Sequence, residues 1–213
     1  MEILRQIANA FGKRGIPEGM EGRVPPGQYV TPKMPVMNLG FAPDVPTGTW
    51  TLQVFGEVEE QVELDWDGFL ALAQQAETAD FHCVTQWSRL DVGWEGVPAS
   101  VVLDLARPKP DARFLMLHCA DGYSTNVDIT AVRQPDVLFA HRQDGAPLAK
   151  AHGAPVRLVV PARYGWKSAK WVTGVELLTD DAPGYWEQNG YHMRGDPWAE
   201  ERFARAQPLA HTG

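Results

Sequence analysis

Two His-Cys pairs, His82-Cys83 and His118-Cys119, are the residues whose types most readily suggest chemistry. Together they supply two imidazoles and two thiols, which is a donor set that zinc accepts. Adjacent residues of a β-strand point to opposite faces, so a single ion would have difficulty reaching both members of either pair. The sequence therefore disfavours structural zinc.

The two thiols leave other interpretations open. Either cysteine could act as a nucleophile beside a histidine, but the sequence marks neither a stabilising positive group nor an oxyanion hole. Either could be a small buried hydrophobic residue, which is the commoner fate of a free cysteine. A thiolate is also a soft ligand for a heavy metal. We expect both thiols to be reduced, because the first residues do not form an export signal.

A long segment without carboxylates is the most informative electrostatic feature. The 31 residues between Asp144 and Glu176 contain no Asp or Glu, whereas 27 such residues in 213 predict about four. In a chain of net charge −8, this segment is a candidate anion site, although a solvated basic face is the alternative. Its glycines and its serine allow backbone amides to approach a phosphate. The segment contains Lys150, His152, Gly153, Arg157, Arg163, Gly165, Lys167, Ser168 and Lys170.

Composition limits the class of protein. A net charge of −8 argues against a nucleic-acid partner, which requires cations spread over one face. No apolar run has the length of a membrane span. Residues 1–22 predict an amphipathic helix and a lead-in, and we expect a soluble, cytoplasmic protein.

Residues 23–203 must position these groups, and they predict one α+β domain with a mixed, β-rich fold. A proline-rich arm covers residues 23–49, an aromatic C-terminal wrap covers residues 183–203, and a tail follows at 204–213. About eight short strands and three or four helices are expected. The helix after Asp65 should bury Phe69, Leu70, Leu72 and Ala73, and a tryptophan-bearing loop should precede the helix that begins at Pro98. Strands are predicted at Phe81–Val84, Phe114–Leu117, Val137–Ala140, Val156–Val160, Trp171–Val172 and Val175–Leu178.

Five segments carry a resemblance to a known family. They are HCVTQWS at 82–88, WEGVP at 94–98, DGYS at 121–124, HGAPVRL at 152–158 and KSAKW at 167–171. In this order they resemble the molybdopterin-binding domain of the sulfite oxidase family, and the similarity extends over about residues 23–203. The resemblance implies a cofactor in which molybdenum is held by a pterin dithiolene with oxo groups.

The resemblance also implies roles for particular residues. Cys83 matches the one protein ligand of the metal. His82, beside it, would support the ligand, and Cys119 would end a strand next to the cofactor. The remaining residues implied to bind the pterin or its phosphate are Asn38, His152, Arg157, Ser168, Ala169 and Lys170.

Departures from the family concern the substrate. Sulfite oxidases proper have Arg-Asn-His where this chain has Met37-Asn38-Leu39, a tyrosine where it has His141, and an arginine where it has Lys167. His141 and Lys167 are therefore expected to face a polar or anionic substrate, with His141 able to exchange a proton near pH ~6.5. The alternative for His141 is a strand-edge histidine without a role.

The resemblance predicts a molybdenum-dependent oxidoreductase that transfers an oxygen atom to or from a small polar substrate and exchanges electrons with an external partner. The related protein-methionine-sulfoxide reductases are similarly short, but they have an export signal and an asparagine in place of His152. One alternative is an inactive molybdopterin carrier or binding module. Another is a metal-free hydrolase that uses Cys83 as its nucleophile.

Overall fold

The computed structural model describes residues 15–204, and two mixed β-sheets with short helices make up this part of the chain. The prediction of an α+β, β-rich fold is confirmed. Residues 1–14 of the predicted N-terminal helix lie outside the described residues, as do residues 205–213 of the predicted tail. The described part of the first segment contains one 3-10 turn, Glu21–Arg23. No helix within residues 15–204 is long and apolar enough to cross a membrane.

Short strands and helices make up the regular structure, and residues 31–50 separate the first two strands. The strands of the described residues are β1 (Tyr29–Val30), β2 (Thr51–Gly56), β3 (Val62–Asp65), β4 (Gln75–His82), β5 (Trp87–Pro98), β6 (Phe114–Cys119), β7 (Ser124–Asp128), β8 (Leu138–Gln143), β9 (Ala146–Pro147), β10 (Arg157–Val159) and β11 (Val172–Leu178). The α-helices are α1 (Trp66–Leu70), α2 (Ala99–Ala106), α3 (Ile129–Val132) and α4 (Tyr185–Gln188). Further 3-10 turns are Lys150–His152 and Gly165–Lys167.

The first sheet positions two residues of the candidate site, since Cys83 directly follows β4 and Arg157 begins β10. Its strand order is β1-β5-β8-β10, with β4 also paired to β5 and β9 paired to β8. Side chains alternate between its two faces, so Phe139 joins the larger hydrophobic core while Leu138 and Ala140 join a second cluster that includes Cys83. This sheet is therefore buried on both faces.

The second sheet completes the larger core. Its order is β3-β2-β11-β6-β7, and its central strand β11 runs parallel to β2 and antiparallel to β6. Leu52, Leu117 and Val175 are fully buried in the larger core, which also contains residues of α2 and of the first sheet. The two sheets thus share one hydrophobic interior.

The predicted tryptophan-bearing loop is wrong, because Trp87–Pro98 is the long strand β5. Its Asp91, Gly93 and Gly96 resemble loop signals. Gly96 is needed for strand packing instead, since a Cβ at this position would lie 2.1 Å from the carbonyl oxygen of Phe139. Asp91 has a left-handed φ of 53° close to a bulge in the β4–β5 ladder, which accommodates an irregularity without ending the strand.

Other predicted boundaries change as well. The two strands predicted at Trp171–Val172 and Val175–Leu178 form the single strand β11. Helix α1 ends at Leu70, so Leu72 and Ala73 are not part of it, and only Phe69 of this helix is buried. The Asp65 N-cap is confirmed, because its Oδ1 accepts a hydrogen bond of 2.8 Å from the Gly68 amide.

Candidate functional site

A cleft lies against the first sheet, lined also by residues of the arm and of the C-terminal wrap, and it encloses about 880 Å³ when the solvent at its opening is included. Its wall combines a thiol, buried cations and aromatic rings. Seven of the residues predicted from the sequence to form the site line this cleft: Asn38, Cys83, His152, Arg157, Ser168, Ala169 and Lys170. The structure therefore brings together residues that are up to 132 positions apart in the sequence.

Cys83 lies immediately after β4, in a tight turn that leads into β5. Its amide donates to the carbonyl of Trp87 at 2.8 Å, and the Gln86 amide donates to the Cys83 carbonyl at 3.0 Å. Gln86 has a left-handed φ of 73°, which lets the chain reverse within four residues. The reversal places the thiol in the wall of the cleft.

The Cys83 thiol is buried, with 7% of the residue exposed. Its Sγ lies 3.1 Å from the Thr85 hydroxyl. Burial raises the pKa of the thiol, and the Thr85 contacts offset this only partly. A protonated thiol is a poor nucleophile, so the metal-free hydrolase is disfavoured. The nearest histidine in sequence, His82, bonds Ser88 through Nδ1 at 2.8 Å.

Arg157 is a buried cation that forms no ion pair with a carboxylate within residues 15–204. Its Nη2 donates to the Ser168 carbonyl at 3.0 Å and its Nη1 donates to the His152 carbonyl at 3.2 Å. The guanidinium also lies 5.3 Å from the centroid of the Phe81 ring and 5.2 Å from that of Trp94. Burial lowers the pKa of Arg157 to about 9. Such a group is prepared to receive an anion.

Lys170 is a second cation of the cleft without an ion pair in the described part of the chain. Its ammonium donates to the carbonyls of Met37 and Ala151 and lies 4.4 Å from the Trp171 ring centroid. Burial, followed by the charge of Arg157, lowers the pKa of Lys170 to about 8. Because this ammonium binds the arm at Met37, it also holds the arm against the cleft.

Glycine at position 153 brings these cations close together. Gly153 ends the 3-10 turn Lys150–His152 with a left-handed φ of 112°. A Cβ there would lie 3.0 Å from Cβ of Lys170 and 3.1 Å from Cβ of Arg157. His152, the last residue of the turn, lines the cleft, and burial and the nearby Arg157 lower its pKa.

The segment Ser168–Ala169 continues the same wall. The Ser168 Oγ accepts a hydrogen bond of 3.0 Å from the Val160 amide, and the Ala169 carbonyl accepts one of 2.8 Å from the Leu158 amide. Both bonds tie this segment to the β10 region. Asn38 lies opposite on the arm, where its Oδ1 accepts from the Gly40 amide at 3.0 Å.

The wrap adds aromatic residues that the sequence interpretation did not assign to the site. Trp186 and Tyr191 line the cleft, and their ring centroids are 4.9 Å apart. Tyr191 also packs edge-on against Trp166 at 5.1 Å. Burial raises the pKa of Tyr191, and the neighbouring Cys83 contributes to the shift. The high aromatic content of residues 183–203 was the available signal for this part of the site.

Two predicted residues lie near the cleft but do not line it. His82 precedes Cys83 and is 5% exposed, and burial lowers its pKa to about 4. Cys119 belongs to the larger hydrophobic core, and burial raises the pKa of its thiol well above the usual value. The implied roles of His82 and Cys119 therefore stay predictions without a direct contact to support them.

His141, predicted to face the substrate, does not line the cleft. Its ring packs edge-on against Trp66 and Phe69, and its Nε2 lies 3.0 Å from Oε1 of Gln74. In β8, the neighbouring Ala140 is the residue that joins the cluster around Cys83, so alternation turns His141 to the opposite side. This geometry does not support the predicted catalytic role.

Lys167, the other residue predicted to face the substrate, is fully buried in an ion pair away from the cleft. Its Nζ lies 2.6 Å from Oε1 of Glu187 and donates to Oδ1 of Asn126 at 2.6 Å. Burial lowers the pKa of Lys167, and Glu187 opposes this shift. Oε1 of Glu187 also accepts from Trp166 and Thr125. The network anchors α4, which indicates a structural role for Lys167.

No group of three or more His, Cys, Asp or Glu side chains within residues 15–204 is arranged to hold a metal ion. A single thiol in a cleft suits a metal whose other ligands come from an organic chelate. Arg157 and Lys170 suit an anionic part of that chelate, because they line the cleft and form no ion pair with a carboxylate of residues 15–204. The residues present thus fit a phosphorylated pterin that carries molybdenum.

The fold and the cleft together define a molybdopterin-binding oxidoreductase domain. The chain belongs to the oxidoreductase molybdopterin binding domain family, whose model matches residues 39–186. This finding confirms the family and the cofactor that the sequence predicted. Asn38 and Tyr191 lie just outside the matched residues.

Individual relatives agree with this assignment. The chain is 43% identical over 183 residues to an uncharacterized oxidoreductase, YuiH, of Bacillus subtilis, covering 85% of this chain and 92% of that protein. It is 26% identical over 183 residues to the protein-methionine-sulfoxide reductase catalytic subunit MsrP of Campylobacter jejuni, covering 75% of this chain but 59% of that protein. The crystal structure of the sulfane dehydrogenase SoxCD from Paracoccus pantotrophus aligns with a TM-score of 0.61 and 25% identity, covering 65% of this chain and 40% of that one.

Proposed function

We propose that this chain, with molybdopterin bound, transfers an oxygen atom to or from a small, polar, uncharged substrate, with an S-oxide as the first candidate. The observation that carries the proposal is the placement of Cys83 in the same cleft as the buried Arg157 and the half-buried Lys170, neither of which forms an ion pair with a carboxylate of residues 15–204. When bound, the cofactor supplies the redox chemistry, and the protein supplies binding, orientation and electrostatics.

The chain's own residues divide these tasks between them. Cys83 would hold the metal through its sulfur, while Arg157 and Lys170 would hold the anionic end of the pterin. His152 and Ser168 line the same cleft. Trp166 and Trp186 exclude water from one side of the cleft. Tyr191 lines the cleft, and its phenolic hydroxyl would be suited to donate a hydrogen bond to the oxygen that is transferred.

An uncharged substrate fits the mouth of the cleft better than sulfite does. Met37 and Leu39, which flank Asn38 on the arm, carry no charge and line the cleft. The cations that line it are Arg157 and Lys170, and the proposal assigns both, with His152, to the pterin. Lys167 has Glu187 as its partner. The similarity to a methionine-sulfoxide reductase further supports a sulfoxide as substrate and reduction as the direction.

The test uses protein produced in a host that makes molybdopterin. Elemental analysis should find molybdenum, and turnover with an artificial electron donor should be faster for dimethyl sulfoxide and methionine sulfoxide than sulfite oxidation is with an artificial acceptor. A protein that retains the pterin but turns over no sulfoxide, N-oxide or sulfite would instead favour the inactive carrier.

Two matched cysteine variants sharpen this test. Cys83→Ser should change the absorption spectrum of the metal and abolish turnover, because the sulfur ligand is lost. Cys119→Ser removes an equally buried thiol from the hydrophobic core and should keep the metal spectrum, because Cys119 is not the proposed ligand, while its pterin content tests the predicted place of Cys119 beside the cofactor. A Cys83→Ser protein with the wild-type spectrum and rate would remove Cys83 from the site.

A further inference from the structure

Arg202, near the end of the C-terminal wrap, contacts the turn that carries Cys83. Its Nη1 donates to the carbonyl oxygen of Val84 at 2.6 Å, across 118 residues of sequence. Its Nη2 donates to the carbonyl oxygen of Pro26 at 3.2 Å. The guanidinium also lies 5.0 Å from the centroid of the Tyr164 ring. One side chain therefore joins the wrap, the arm, the cysteine turn and the basic segment.

A second side chain holds the other carbonyl of the same turn. Gln28, 7% exposed, donates from Nε2 to the carbonyl oxygen of Cys83 at 3.0 Å. The backbone carbonyls of Cys83 and Val84 are thus bound by side chains from opposite ends of the described chain. Gln28 is neutral and Arg202 is charged, so the two anchors differ in their electrostatic effect on the thiol.

The segment that carries Arg202 is itself well fixed. The His192 amide donates to the carbonyl of Arg202 at 3.3 Å, and the Ala204 amide donates to the carbonyl of Gly190 at 2.9 Å. Tyr191, which lines the cleft, pairs with Phe203 in an isolated bridge and packs against its ring at 5.2 Å. The contacts around Arg202 are therefore coupled to the wall of the cleft.

The charge of Arg202 has no carboxylate partner within 4 Å among residues 15–204. Its three contacts are two carbonyl oxygens and a ring face, none of which neutralises a guanidinium. Because Arg202 binds the carbonyl of the residue that directly follows Cys83, its positive charge lies close to the turn that carries the sulfur.

We infer that Arg202 is a positioning residue for Cys83, which fixes the ligand turn by hydrogen bonds and raises the reduction potential of the metal centre through its unpaired positive charge. The inference rests on the proposed function, because it concerns the metal that Cys83 would hold. A cation near the centre favours the state that has gained electrons, so removing it lowers the potential.

Three variants of the holoprotein separate position from charge. Arg202→Met loses both, Arg202→Lys keeps the charge but loses the two-pronged hydrogen bonding, and Gln28→Leu loses a neutral anchor of the same turn. Arg194→Met is the matched control, because Arg194 lies in the same segment but pairs with Glu201 at 2.7 Å. Molybdenum content, the absorption spectrum and a mediated redox titration are measured for each protein.

We expect Arg202→Met to retain molybdenum about 10-fold less well, the lower end of the loss seen for residues that support metal ligands. In the fraction that keeps the metal, its reduction potential should be more negative than in the wild type. Arg202→Lys and Gln28→Leu should lose molybdenum partially at an unchanged potential, and Arg194→Met should match the wild type.

The inference is overturned if Arg202→Met keeps the wild-type molybdenum content and potential, or if Arg202→Lys shifts the potential as much as Arg202→Met does. If Arg202→Met fails to fold, Arg202→Lys and Gln28→Leu test the inference in its place. Full retention of molybdenum in both of these variants would also overturn the inference. A wild-type protein without molybdenum would contradict the proposed function itself, so the two failures are distinguishable.

Discussion

Lys167 and Lys170 belong to the same basic segment and are both withdrawn from solvent, yet their surroundings are opposite. Lys167 has a carboxylate at 2.6 Å and lies outside the cleft. Lys170 has only carbonyl oxygens and a ring face, and it lines the cleft beside Arg157. The comparison indicates that Lys167, which has a counter-ion, stabilises the fold, whereas Lys170, which has none, is available to bind an anionic ligand.

The largest expected effect would come from breaking the paired cation. Glu187→Leu leaves the Lys167 ammonium buried and without a carboxylate, and losing one partner of a buried ion pair costs about 3–5 kcal/mol of unfolding free energy. Urea denaturation of the cofactor-free protein measures this loss. Asp104→Asn breaks the exposed Arg133–Asp104 pair and should cost less than about 1 kcal/mol. Equal losses in the two variants would remove the structural role assigned to Lys167.

Removing the unpaired cations should weaken cofactor binding without lowering the stability of the fold. Arg157→Met with Lys170→Met should weaken cofactor binding by at least about 2 kcal/mol, since truncating a charge that meets a buried anion costs this much. Without cofactor, the double variant should be as stable as the wild type or more so, because two desolvated charges are gone. Pterin content after purification and urea denaturation measure the two quantities. Full pterin occupancy in the double variant would refute the anion site.

The last expected effect is on the pH dependence of stability. Below pH about 8, Lys170 is protonated in both the folded and the unfolded state, so its burial cost applies in full. Between pH about 8 and 10.5 the unfolded state binds more protons at this residue, so its contribution to stability rises with pH. As the pH rises across this range, the cofactor-free wild type should therefore gain unfolding free energy relative to Lys170→Met. A constant difference would show that the Lys170 pKa is not lowered.

The sequence could predict the cleft because its residues lie in short, ordered motifs. Arg157, Ser168 and Lys170 come from one segment whose lack of carboxylates is visible without a structure. Cys83 was assigned through the resemblance, and its position in the cleft agrees with that assignment. Each of these residues lies in a contiguous motif, so short stretches of sequence were enough to predict them as site residues.

Long-range contacts account for most of the differences between the predicted site and the site in the structure. The partner of Lys167 is Glu187, on a four-residue helix that no periodicity marks, so the lysine resembled its neighbours in the basic run. The side to which His141 points depends on the register of β8 against β5, and β5 was predicted to be a tryptophan-bearing loop. Tyr191 reaches the cleft through the path of the wrap, which composition does not determine.

The contact between Arg202 and Val84 also bears on how a nascent chain acquires its site. Cys83 leaves the ribosome more than a hundred residues before the arginine that fixes its turn. During that interval the thiol-bearing turn has only its amino-terminal anchor, and the wall supplied by Trp186 and Tyr191 has not yet been synthesised. The pocket for the pterin is thus completed only at a late stage of translation.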